Sequence, residues 1–117
     1  MIPFRAFRDT CVGRAPGYRD PVTVYAIAQI SIHDRPRYQR YAAAFMPILV
    51  KYGGRLLAAD EQPEVVEGEW TGSKVIMMAF PDRDTFTRWA ESPEYTEISV
   101  DRVAATDGVV LLVRGLD

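Results

Sequence analysis

The side chains with chemical capacity fall into four groups along the chain. His33 is the single histidine, and its imidazole titrates near neutral pH, so it is a candidate general base. The plainer alternative is a loop histidine bonded to nearby backbone, since no acidic group is placed by sequence to orient its ring. Arg102 carries a guanidinium that can clamp a carboxylate or phosphate with two parallel hydrogen bonds. Its alternative is a structural ion pair with Glu67 or Asp34. Glu67, Gly68 and Trp70 form a third group, in which a glycine between an acid and an aromatic suggests a tight turn. Glu67 is a candidate acid or base if desolvated, and otherwise caps the turn; Trp70 either lines a ligand site or packs at a subunit seam. Tyr38, Tyr41, Tyr52 and Tyr95 are the fourth group. Stripes of this kind are more often core, but their hydroxyls can also line a cleft, and aromatic walls with a few polar groups are usual in small-ligand pockets.

These groups need elements to position them. Residues 22–32 (VTVYAIAQISI) are β-branched and aromatic and read as strand one. Asp34 is placed to cap the next helix and Pro36 suits its first turn. Tyr38, Tyr41, Phe45, Ile48 and Tyr52 recur at steps of three and four, which is one helical face. Pro47 should kink this helix near Ala43, and Gly53 with Gly54 should end it. Residues 55–59 read as a short strand two, and residues 64–70 as an additional β segment in a polar connection. Residues 74–80 (KVIMMAF) are strand three. A second helix follows with Phe86, Trp89 and Ala90 inward, and Ser92-Pro93 restarts it, bringing Tyr95, Ile98 and Arg102 to one side. Gly108 should break that helix before strand four at residues 109–113.

The order is β-α-β-β-α-β, the split pattern of an α+β, ferredoxin-like domain with a four-stranded antiparallel sheet. Both helices of such a domain cover one face of the sheet. The strands nevertheless do not alternate polar with apolar residues: residues 109–113 are apolar throughout, and residues 75–80 are apolar on both sides. A bare apolar face of that extent exceeds what monomers tolerate, so the open face is expected to pair with a second copy in a closed two-fold homodimer.

The runs YGGRLLAAD (52–60), VEGEW (66–70), VIMMAFPD (75–82) and SPEYTEISVDR (92–102) resemble domain of unknown function family 1330. The resemblance spans residues 22–116 and implies a dimeric α/β barrel of ferredoxin-like subunits. Residues 1–20 are outside the family pattern and read as an N-terminal arm, with Phe4 and Phe7 as anchors, ahead of a single domain at 21–117.

Composition excludes several classes. The formal charge is -2 across 117 residues, which gives no electrostatic reason to bind nucleic acid or an anionic membrane. No apolar run approaches the ~18 residues that span a bilayer, and the N-terminus lacks a signal-peptide core, so a cytoplasmic location is expected. One cysteine, Cys11, and one histidine are too few for a Cys/His metal site within one chain. There is no phosphate loop or nucleophile elbow, and no cofactor is implied.

Three functions fit these residues. The first is a dimer binding a small polar or anionic organic molecule between sheet and helices, with Arg102, Tyr38, Trp70 and Tyr95 as ligand contacts and His33 or Glu67 as catalytic candidates, reaction unknown. The second is a cofactor-independent or haem-using monooxygenase of the dimeric α/β-barrel type, by analogy of fold. Such relatives typically use an asparagine, which this chain lacks, and a haem would have only His33 as an imidazole ligand. The third is a structural dimer with no catalytic role.

Overall fold

The computed structural model describes residues 22–116. The arm at residues 1–20, with Phe4, Phe7 and Cys11, lies outside the described residues. The elements run β1 (Val24–Ile32), α1 (Arg35–Lys51), β2 (Arg55–Asp60), β3 (Lys74–Phe80), α2 (Arg83–Ala90), α3 (Pro93–Ala105) and β4 (Thr106–Arg114). The strands form one sheet in the order β2-β3-β1-β4, antiparallel throughout. This is the expected α+β order, with the second helix in two pieces.

The helix ends follow from side-chain chemistry. Asp34 accepts from the Arg37 amide, Asp82 from Thr85 and Ser92 from Tyr95, so each helix has its first turn satisfied by a side-chain oxygen. Gly53, at φ 90°, ends α1: its amide donates to Val50 and that of Gly54 to Leu49, the paired bonds of a left-handed helix stop. Helix α1 runs through Pro47 as one element of 17 residues.

Alternation along β1 sets the layers. Val24, Ala26, Ala28 and Ile30 are buried beneath the helices, and Tyr25, Ile27 and Gln29 point the other way. Paired residues share a face, so Ile76, Met78, Val110 and Leu112 join the inner layer. Against it pack Tyr38, Tyr41, Phe45 and Leu49 of α1, Phe86 and Trp89 of α2, and Tyr95 of α3. Trp89 is the hub of the aromatic cluster, 4.1 Å from Tyr95 and 5.3 Å from Phe80 between ring centroids. Helices α1 and α3 are also joined at their rims. Arg37 holds Asp101 at 2.7 Å, and Glu94 accepts from both Lys51 and the Tyr52 hydroxyl. Those two donors, Lys51 first, hold the Glu94 carboxyl down at about 2.

The outer layer is apolar too. Val109, Leu111 and Val113 of β4 are 51%, 49% and 42% exposed, and they share the face with Ile27 and Met77. No described element covers them.

Two expectations are corrected. Residues 64–70 form no strand. The connection is tied down instead at Ser73, whose amide donates to Ile30 O and whose hydroxyl accepts from Ile32 N. Gly108 does not break a helix. Helix α3 ends earlier, where Thr106 turns extended and its hydroxyl satisfies the Arg102 carbonyl at 2.8 Å. Strand β4 has begun by then, and Gly108 lies within it opposite Ile30.

Candidate functional site

A cavity of about 160 Å3 lies between the sheet and the helices. Its origin is legible in the side chains: the buried Ala26 and Ala28 occupy the middle of the central strand and the exposed Ala42 borders the gap from α1, so three short side chains stand where larger ones would narrow it. Met46 and Leu56, 41% and 37% exposed, border it on the β2 side.

The polar groups of the lining are Lys74, Arg102 and the hydroxyls of Tyr38, Tyr41 and Tyr95, together with the Trp89 indole; no carboxylate is among them. Lys74 opens β3 on its inner face, in phase with Ile76 and Met78, and its ammonium sits 4.9 Å from the Tyr38 ring centroid. The Lys74 side chain is only 14% exposed, and its one carboxylate neighbour, Glu61, lies 3.8 Å away and is bound more closely by Arg35 at 3.0 Å. Arg102 comes from the last turn of α3. It makes no ion pair among the described residues, and its Nε is buried without a hydrogen-bond partner there. The proposed structural pairings do not form: Asp34 is engaged in capping α1, and Glu67 is exposed in the β2–β3 connection.

Tyr41 and Tyr95 meet hydroxyl to hydroxyl at 2.9 Å. Burial pushes the Tyr41 phenol well above its ordinary range, and Tyr95 beside it pushes further in the same direction. Tyr41 is therefore a neutral phenol at all physiological pH values. One hydroxyl of the pair donates to the other, which leaves one hydroxyl proton to offer a third group.

The structure brings Arg102, Tyr38, Tyr41 and Tyr95 into one cavity and leaves His33, Tyr52, Glu67, Gly68 and Trp70 outside its lining. His33 closes β1 at the surface, half exposed, with Nε2 3.5 Å from the Asp107 carboxylate. Gly68 takes φ 91° with nothing within 4 Å of a would-be Cβ, so its turn brings the backbone near no partner. Trp70 folds back over Gly72. Lys74 was not among the sequence candidates. The signal was present as a charge in register with the inward positions of a strand. Among the described residues no cluster of three His, Cys, Asp or Glu side chains is placed to hold a metal ion. No helix there is long and apolar enough to cross a membrane.

The four-stranded antiparallel sheet with helices on one face defines an α+β domain of ferredoxin-like type. Residues 23–116 match the model of the family described as Domain of unknown function (DUF1330), and the chain belongs to that family. No curated protein matches it. Among solved structures it is similar to a protein of unknown function from Rhodopseudomonas palustris, with TM-score 0.76 and 16% identity over 97% of this chain and 92% of that one. It is also similar to SnoaB, a cofactor-independent oxygenase from Streptomyces nogalater, with TM-score 0.57 and 15% identity over 85% and 96%. A third likeness is to a dimeric ferredoxin-like protein of unknown function from Thermobifida fusca, with TM-score 0.58 and 11% identity over 85% and 96%. At these identities the likeness is one of fold.

Proposed function

We propose that the protein is a homodimer, paired through its open sheet face, that binds a small organic anion in the cavity between sheet and helices. The observation that carries the reading is the lining itself: two cationic side chains, Lys74 and Arg102, with no carboxylate among the lining residues. The Arg102 Nε is buried without a hydrogen-bond partner among the described residues, which costs free energy, and an anionic ligand recovers it through charge-assisted hydrogen bonds. The dimer is supported by the apolar outer layer and by the fold shared with the Thermobifida fusca protein. An oxygenase reading has the SnoaB fold behind it, and the same two cations suit an enolate or phenolate. It stands second because the chain contains no asparagine.

A thermal-shift screen against small carboxylates, phosphates and phenols tests the binding. A ligand at 100 times its dissociation constant stabilises the native state by about 2.7 kcal/mol. Carboxylates are expected to raise the melting temperature of the wild type and to leave Arg102→Ala unmoved from its own unliganded value. Equal shifts in the two proteins would remove Arg102 from the site.

A further inference from the structure

The cavity is polarised along its length, and its polarity defines the kind of anion. The register places Lys74 opposite Ile30, near the end of β1. Tyr38 reaches the Lys74 ammonium from the first turns of α1. Arg102 lies one turn before α3 passes into β4 at Thr106, which pairs with Ile32 at that same end. Both cations therefore sit toward the end of the sheet where β1 finishes. At the opposite end Met78 pairs with Ala26, and the walls there are Phe45, Phe86 and Trp89. The Tyr41–Tyr95 hydroxyl pair stands between the two regions.

Resting on the reading of the cavity as an anion site, we propose that its ligand is an amphipathic monocarboxylic acid, with the carboxylate at Lys74 and Arg102 and an apolar body against Phe45, Met78, Phe86 and Trp89. At the far end a second charge would meet one donor, the Trp89 indole, and no cation, and desolvating that charge costs free energy. Size narrows the class further. An apolar cavity of roughly 150 Å3 takes up a single benzene ring, and this one measures about 160 Å3. The part of the body that the cavity itself holds is thus one ring or a chain of comparable bulk.

Calorimetric titration of the full-length protein with acetate, butanoate, hexanoate, malonate, adipate and hexanamide tests the assignment. Affinity is expected to rise about fourfold for each methylene from acetate to hexanoate. Hexanamide, which keeps the body and loses the charge, is expected to bind at least tenfold more weakly than hexanoate. Adipate, which adds a second carboxylate at the far end, is expected to do the same. Lys74→Met should weaken hexanoate while preserving the increment per methylene. Equal affinity for acetate, malonate and hexanoate would overturn the amphipathic assignment and leave the anion site standing. Absence of binding by every carboxylate would overturn both.

Discussion

Gly108→Ala lowers the melting temperature by roughly 10–15 °C. Gly108 lies in β4 at φ 153°. A Cβ there would stand 2.1 Å from the Gln29 carbonyl oxygen and 2.8 Å from the Ile30 Cα. Both obstacles are backbone atoms of the central strand, so no rotamer change relieves the contact. Backbone strain at such a φ and overpacking each cost about 1–3 kcal/mol, and together they consume a large part of the ~5–15 kcal/mol that holds an ordinary domain folded. Gly68→Ala is the matched control. Gly68 also has positive φ, at 91°, but a Cβ there meets nothing within 4 Å. Its cost is the conformational penalty alone, about 1 kcal/mol. Thermal unfolding of the two variants separates steric closeness from backbone preference. Equal destabilisation would mean that β1 and β4 can part locally without loss.

Leu111→Glu is expected to dissociate the proposed homodimer. Leu111 is half exposed at the centre of the β4 run Val109, Leu111 and Val113, next to Ile27 across the strand pair. A closed two-fold interface uses the same patch on both copies, so one substitution introduces two carboxylates into it. Each must be desolvated without a partner. The expected result is a wild type that sediments as two chains and a variant that sediments as one, with the dissociation constant raised at least ~100-fold. The side chain points away from the core, so the circular dichroism spectrum of the monomer should match that of the wild type. A variant that remains dimeric at micromolar concentration would place the subunit contact elsewhere.

Local chemistry makes much of this fold legible in the sequence. Asp34, Ser92 and the prolines after them marked two helix starts, because capping and the missing proline amide act within one turn. Tyr38, Tyr95 and Arg102 were legible as cavity residues because helical spacing assigns them to inward faces. What escaped was set by long-range pairing. A glycine after a helix and a glycine within a strand give the same local signal, and only the register opposite Ile30 decides that Gly108 belongs to the second kind. The EGEW run stands out by its composition, yet the connection that carries it is held by the long-range Ser73 tether to β1, which no local pattern announces. Lys74 opens a strand, and a lysine there is by residue type a solvent-facing one. Its inward phase with Ile76 and Met78 was the stronger signal. Leu49, fully buried, is missed because a step of three from Phe45 reaches Ile48, whereas the buried position lies four residues on.

The methionines offer the most direct test of the binding site. Met78 and Met46 line the cavity, whereas Met77 faces the opposite side of the sheet. In protein labelled with 13C at the methionine methyl groups, with each signal assigned by a Met→Leu variant, saturating hexanoate should shift the Met78 and Met46 resonances and leave Met77 in place. A shift confined to Met77, or no shift at any methionine under conditions where calorimetry detects binding, would contradict a ligand site between sheet and helices.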